Sequence, residues 1–352
     1  MRLLMVIPRQ DRVTGNWITA ARLQQGLEAR GHAVSVCETD GAPRPIAAAV
    51  AAFHPELVLL LHAWRSGRPW LESGAALPYA VLLTGTDVHA GMTDPTQAPV
   101  IEAVLQRAAA ILSQNHLTVA ALRHARPALA ARIHYLPAGV VLGSAPFPLR
   151  EQLAVAPDEL LLLCPAGIRP VKGVLELLSM CDPLVDEGRR LRLACCGPIL
   201  EADYGQRFLE AVAARTWAAY LGSIPPEAMP AALCQADVIV NNSSSEGLSN
   251  ALAEAAALGR PIVARAIPGN AAVVNEGVNG LLYADEDGFR AAIRRLQDEP
   301  ALATALSRPD PERFAPERES ATLEALGLDI LGRTARPAAC QDHHEGTSFA
   351  NR

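Results

Sequence analysis

Short apolar runs alternate with amphipathic stretches along nearly the whole chain. In the first half, Arg2–Pro8, Ala33–Glu38, Leu57–Ala63, Tyr79–Gly85, Ala109–Gln114 and Arg132–Leu136 predict strands. These runs are continuously apolar rather than alternating, as strands buried on both faces should be. Helical spacing fills the gaps, as in Trp17–Arg30, where Ile18, Ala21 and Leu27 share a face, and in Val100–Ala108. A second series follows, with strands at Leu160–Cys164, Arg192–Cys196, Trp217–Gly222, Val238–Asn242, Pro261–Arg265 and Gly280–Tyr283, and its clearest helix at Leu248–Leu258. Strand–helix–strand order repeated in this way implies right-handed crossovers and parallel sheets. The expected class is α/β, with two doubly wound, Rossmann-like sheets facing each other across a cleft.

A proline-rich stretch, Pro137 to Pro157, separates the two series and suits a hinge. The expected domains are residues 1–150 and 151–333, with the last helix free to pack back on the first domain. The polar, aperiodic residues 334–352 are read as a disordered tail. Its His343 and His344 have no further ligands to complete a metal site.

At 352 residues the chain is too long for one ordinary domain, and 50% hydrophobic content supplies two cores. Seven cysteines without a C-x-x-C pair point to a reducing, cytoplasmic setting, and no run is long enough to span a membrane. Cys195 and Cys196, adjacent in one predicted strand, read as small buried hydrophobes on opposite faces. The net charge of −6 argues against nucleic acid as the main partner. Residues 1–150 hold 13 arginines against 9 acids, whereas residues 151–352 hold 18 cations against 28 acids. A mildly basic first half is compatible with an anionic ligand or a membrane surface. Among the cations Lys172 is the sole lysine.

Ligands of doubly wound sheets bind beyond the carboxyl ends of the strands. The loop opening the second series, Ala166-Gly167-Ile168-Arg169-Pro170-Val171-Lys172-Gly173, sets two cations at the mouth of a helix, a plausible phosphate cradle. A second loop runs from Asn241 through Ser245-Glu246-Gly247-Leu248-Ser249-Asn250 into an alanine-rich helix carrying Glu254. Eight residues at about 1.5 Å rise place the Glu246 and Glu254 carboxylates up to about 12 Å apart. That is too far for a paired-acid hydrolase, and well spaced to grip two hydroxyl-bearing groups flanking a diphosphate.

With these residues the chain resembles the GT-B glycosyltransferases of the retaining family 4 type. Glu246 and Glu254 match that family's E-x7-E motif, and Arg169 with Lys172 its paired phosphate cations. Thr14-Gly15-Asn16, Leu61-His62, Gly85-Thr86-Asp87, Ser245-Glu246-Gly247 and the stretch Ile267 to Val274 look most like the small glycosyltransferase 1 domain-containing proteins. The resemblance implies a nucleotide-diphosphate sugar donor, UDP-linked, an unidentified acceptor, and no metal or other cofactor. It implies that Arg169, Lys172 and Glu246 are catalytic, with Glu254 on the ribose and Glu246 on the donor sugar. Gly15, Asn16, Gly167, Gly247, Leu248, Ser249, Asn250, Gly269 and Asn270 would complete the donor site, and His62 and Asp87 would line the acceptor side. Where many members carry His-Asp, this chain has Thr86-Asp87, so a sugar contact is lost or supplied by His89. Gly269-Asn270 replaces a frequent glycine pair.

Transfer to selenium or sulfur is a variant of this reading, because the strings around Thr14, His62 and Gly85 also look like bacterial selenosugar synthases. A catalytically silent sugar-nucleotide binder is a further alternative. A nicotinamide enzyme is not supported: Pro8 to Gly15 contains no G-x-G-x-x-G. Asp285-Glu286-Asp287 spells D-x-D, but it stands where a helix opens and acids serve as caps.

Overall fold

A computed structural model describes residues 1–9 and 15–335. The first sheet contains β1 (Arg2–Pro8), β2 (Ala33–Thr39), β3 (Leu57–Leu61), β4 (Tyr79–Leu83), β5 (Ala110–Ser113) and β6 (Ile133–Tyr135). The second contains β7 (Leu160–Pro165), β8 (Leu191–Cys196), β9 (Ala218–Tyr220), β10 (Val238–Asn241), β11 (Ile262–Arg265) and β12 (Gly280–Tyr283). Each of the twelve predicted strands is present, most of them trimmed by a residue or more at their ends.

Both sheets are parallel. Their strand orders are β2-β1-β3-β4-β5-β6 and β12-β11-β10-β7-β8-β9. The order therefore reverses between β1 and β3 in the first sheet and between β7 and β10 in the second. The loops leaving those strands diverge to opposite faces and open a crevice between them.

Continuous apolar strands are explained by burial on both faces. Leu4 and Val6 enter one core layer, and Leu3, Met5 and Ile7 enter the other. In β8, Cys195 joins one layer and Cys196 its opposite; the Cys164 thiol and burial push the Cys195 thiol well up, and burial does the same to Cys196. They are packing residues.

The last described helix, Pro316–Ala335, leaves the second sheet and returns to the first, burying Leu323 and Ile330 among Leu3, Leu57 and Leu59. It meets the helix Gly15–Ala29 at Gly26, where a Cβ would fall 2.2 Å from Ser320 Oγ. Beside that contact Arg22 and Glu319 form a buried two-pronged ion pair, at 2.6 and 2.9 Å. The two chain crossings between the sheets touch each other, the Val140 amide donating to the Phe314 carbonyl at 2.8 Å. This helix runs to Ala335, two residues into the stretch read as a tail; residues 336–352, with His343 and His344, lie outside the described residues.

Asp285 caps the helix Glu286–Asp298 by accepting from the Gly288 amide at 2.8 Å, and both Glu286 and Asp287 face Arg290. The D-x-D string is thus a helix start. No helix among the described residues is long and apolar enough to cross a membrane, and no cluster of three or more candidate metal ligands occurs among them.

Candidate functional site

The reversal between β7 and β10 brings together the two loops singled out in the sequence. After β7 the chain passes Arg169 in an extended conformation and makes one tight turn at Pro170–Lys172. It then enters the helix Val174–Asp186 through Gly173. Gly173 has φ +59°, and a Cβ there would fall 2.7 Å from Asn242. The β10 loop locks onto this turn. Asn242 donates its amide to the Gly173 carbonyl at 2.8 Å, and the Ser244 amide donates to the Val171 carbonyl at 2.9 Å. Tyr283 at the end of β12 fixes Asn242 in turn, its hydroxyl donating to Oδ1 at 2.8 Å.

So held, Lys172 Nζ donates to Glu246 Oε1 in a short ion pair. The same oxygen accepts from Ser243 Oγ at 2.8 Å and Asn241 Nδ2 at 3.4 Å. Burial alone would raise the Glu246 carboxyl, but the Lys172 charge and these donors outweigh it and hold it below its ordinary range. Arg169, whose carbonyl accepts from the Lys172 amide at 3.0 Å, has its Nε buried and without a partner among the described residues. A buried guanidinium nitrogen left over in the protein marks a place where a ligand oxygen completes the bonding.

The helix Asn250–Ala257 begins two residues later than predicted because Ser249 caps it, Oγ accepting from the Leu252 amide at 3.4 Å. Leu248 packs on the core of the second sheet, so within the 248–250 segment it anchors the chain through its side chain. Glu254, half-buried on that helix, has its carboxyl pushed up to about 7 by burial, opposed by the Arg22 charge.

Glycines allow the first domain to close on these loops. Gly85 has φ +113°, and a Cβ there would fall 2.2 Å from the Gly247 nitrogen. Gly15 opens its helix facing Asn250, whose Nδ2 would be 3.5 Å from an added Cβ. Asn16 follows it, half-buried; Thr14 lies outside the described residues. Gly269 presses on Glu246, where a Cβ would fall 2.4 Å from that residue's own Cβ.

Several residues take roles other than those expected. At Gly167 an added Cβ would fall 2.7 Å from the exposed Leu200 side chain, so the close approach of Leu200 also bears on glycine there. Asn270 is fully buried and braces the site from behind, donating to Asn241 Oδ1 at 3.1 Å and to the Arg265 carbonyl at 3.0 Å. Asp87 is fully buried as well. One oxygen accepts from the Ala63 amide at 2.8 Å, and the other from the Thr84 and Gly85 amides at 3.0 and 2.9 Å. With both oxygens engaged, it shapes the loops after β3 and β4 from beneath. His62, at φ +83°, accepts at Nδ1 from the Trp64 and Arg65 amides at 3.2 and 3.1 Å, leaving Nε2 to bond the Thr86 hydroxyl at 3.0 Å. Burial lowers the imidazole, with Asp87 opposing and Arg65 assisting, which suits this neutral form.

One residue escaped the sequence reading altogether. Asn115 is fully buried after β5 and caps the helix His116–Ala125, Oδ1 accepting from the Leu117 and Thr118 amides. Its Nδ2 crosses the cleft to the carbonyls of Gly247 at 2.9 Å and Pro268 at 3.1 Å. An Asn before a helix signals a cap; its second role is created by the partner domain.

Residues 159–299 match the family described as glycosyl transferases group 1. The fold is GT-B, and this segment is similar to the group 1 glycosyltransferases. It is 27% identical over 303 residues to glycosyltransferase 1 domain-containing protein 1 of Xenopus tropicalis, covering 82% of this chain and 86% of that one. Among solved structures, a sucrose-phosphate synthase from Thermosynechococcus elongatus superposes with a TM-score of 0.79 at 18% identity, covering 94% of this chain and 99% of its own. Anabaena Alr3699/HepE, in complex with UDP and glucose, gives 0.75 at 16% identity, covering 94% and 100%. The matched segment contains both loops of the β7/β10 crevice, together with Glu254 and Gly269.

Proposed function

We propose that this protein is a retaining, metal-independent glycosyltransferase that moves a sugar from a nucleoside diphosphate donor, UDP-linked, to a small acceptor. The observation that carries the reading is the pairing of a partnerless, buried Arg169 Nε with the Lys172–Glu246 ion pair at the sheet's reversal point. The Anabaena relative holds UDP in the same fold. Arg169 and Lys172 supply fixed positive charge where negative charge gathers on a departing diphosphate, and this replaces what a divalent cation would provide. Glu246 holds Lys172 in place and offers its second oxygen to a donor hydroxyl. Glu254 accepts from the ribose hydroxyls.

UDP at about 100 times its dissociation constant should add about 2.7 kcal/mol of stability, raising the melting temperature by a few degrees. The expected shift is the same with and without EDTA, and a shift abolished by EDTA would overturn metal independence.

Glu254 gives this reading a pH signature. Its folded value of about 7 lies above the ordinary 4.5, so the unliganded fold favours the protonated acid. That contribution to stability is full below about 4.5 and is lost as pH rises through about 7. A ribose donating two hydroxyls favours the ionised form, so binding expels the proton. Uridine, which has no phosphate to titrate, should therefore bind more tightly as pH rises from 6 to 8. Glu254→Gln should flatten that profile in calorimetric titrations; an unchanged slope would remove Glu254 from the ribose site.

A further inference from the structure

We propose that the acceptor is a small molecule carrying a phosphoryl group, held by an arginine cavity in the first domain. The proposal rests on the transferase reading above and names the substrate class of its acceptor side. The cavity has a volume of about 230 Å³ and is lined by Pro8, Arg9, Thr39-Asp40-Gly41 and Trp64, Arg65 and Arg68. It lies beyond the carboxyl ends of β1, β2 and β3, at the β1/β3 reversal of the first sheet. This is the same topological position that the Lys172–Glu246 pair occupies in the second sheet. The Gly85–Gly247 and Gly15–Asn250 contacts show that this end of the first sheet faces the donor loops.

Its chemistry is that of an anion site. Three guanidinium groups face one carboxylate, Asp40, leaving two net positive charges in the lining, which matches a phosphate monoester dianion better than a carboxylate. Arginine forks suit tetrahedral phosphate oxygens. Arg68 stacks on the Trp64 ring at 5.1 Å, bonds the Gly41 carbonyl at 3.4 Å and lies 3.8 Å from exposed Glu72. The Trp64 ring gives an apolar wall to the body of the ligand. Asp40 caps its own loop by accepting from the Ala42 amide at 3.1 Å and keeps its other oxygen for a hydroxyl.

The cavity is also built rather than incidental. His62 Nδ1 accepts both the Trp64 and the Arg65 amide, and Asp87 accepts the Ala63 amide between β3 and that turn. The strained φ of His62 is thus the means by which the β3 exit turns Trp64 and Arg65 into the cavity. His62 and Asp87 are positioning residues of this site.

The test uses the full chain saturated with UDP, so that the Arg169–Lys172 crevice is filled before a second ligand is added. Glycerol 1-phosphate, glycerol and lactate, and then inorganic phosphate, are titrated in turn by calorimetry. Glycerol 1-phosphate should bind, with glycerol and lactate at least tenfold weaker. Arg9 and Arg65 are exposed, so Arg9→Gln/Arg65→Gln should fold normally and keep its UDP affinity within twofold. Its affinity for glycerol 1-phosphate should fall at least tenfold. UDP binding with equal affinities for the three probes, or an unchanged double variant, overturns the phosphoryl acceptor alone. Inorganic phosphate binding as tightly as the ester would assign the cavity to free phosphate and also overturn it. Failure of UDP to bind in the first place would instead defeat the transferase reading.

Discussion

Replacing Lys172 by alanine should lower turnover by about 10²–10³-fold, the usual effect of deleting one fixed charge or donor aimed at a developing anion. The fall should appear in kcat, with UDP still bound through Arg169 and the β10 loop. Lys172 is well buried against Glu246 and is the residue that brings Glu246 below its ordinary titration range. Without it, Ser243 and Asn241 remain as donors, and Glu246 takes up a proton more readily, which limits the cost to stability. The melting temperature should therefore drop by only a few degrees while catalysis collapses. Lys172→Arg keeps the charge but replaces the compact ammonium with a planar fork. It should stay at least tenfold below the natural enzyme. A Lys172→Ala variant that turns over at the natural rate would refute the proposed mechanism.

The largest effect on stability is expected at the Arg22–Glu319 pair. Both side chains are almost completely buried, at 6% and 1% exposure, and the bond is bidentate. Glu319→Ala should cost about 3–5 kcal/mol, because it strands a guanidinium in the contact between two helices. Gln114, which also donates to Glu319, would lose its partner at the same time. Arg22→Met/Glu319→Leu should cost far less than Glu319→Ala alone, since an apolar pair fills the space with no charge left unpaired. Urea unfolding of the two variants measures the difference. If the double variant proves as unstable as the single one, the pair is worth its desolvation and the asymmetry argument fails. Because Arg22 is the charge opposing protonation of Glu254, the double variant should also move the uridine pH profile to higher pH.

The architecture was legible because a strand covered on both faces must be apolar at every position. Runs such as Leu57–Leu61 and Val238–Asn241 can hardly be anything else between turn residues. The position of the second crevice was legible for a related reason. Lys172 and Glu246 lie on short loops directly after strands, so fixing the strands fixes the loops to within a residue or two.

Local pattern failed where a residue's role depends on what packs over it. His62 and Asp87 follow β3 and β4, where a ligand-facing residue would stand, yet Asp87 accepts from three backbone amides and His62 from two, with its Nε2 on the Thr86 hydroxyl. Asn270 sits in the expected loop and also braces Asn241 and Arg265 through its Nδ2, which only the packed loops reveal. Asn115 looks like any helix cap until the other domain supplies two carbonyls. The sequence by itself determined the two parallel sheets and which loops leave the ends of their strands, since periodicity and strand ends are local properties of the chain. Only the tertiary structure decided the return of the last helix, the Asn115 bridge and the arginine cavity, because each joins segments far apart in sequence, and no local pattern records which distant groups meet.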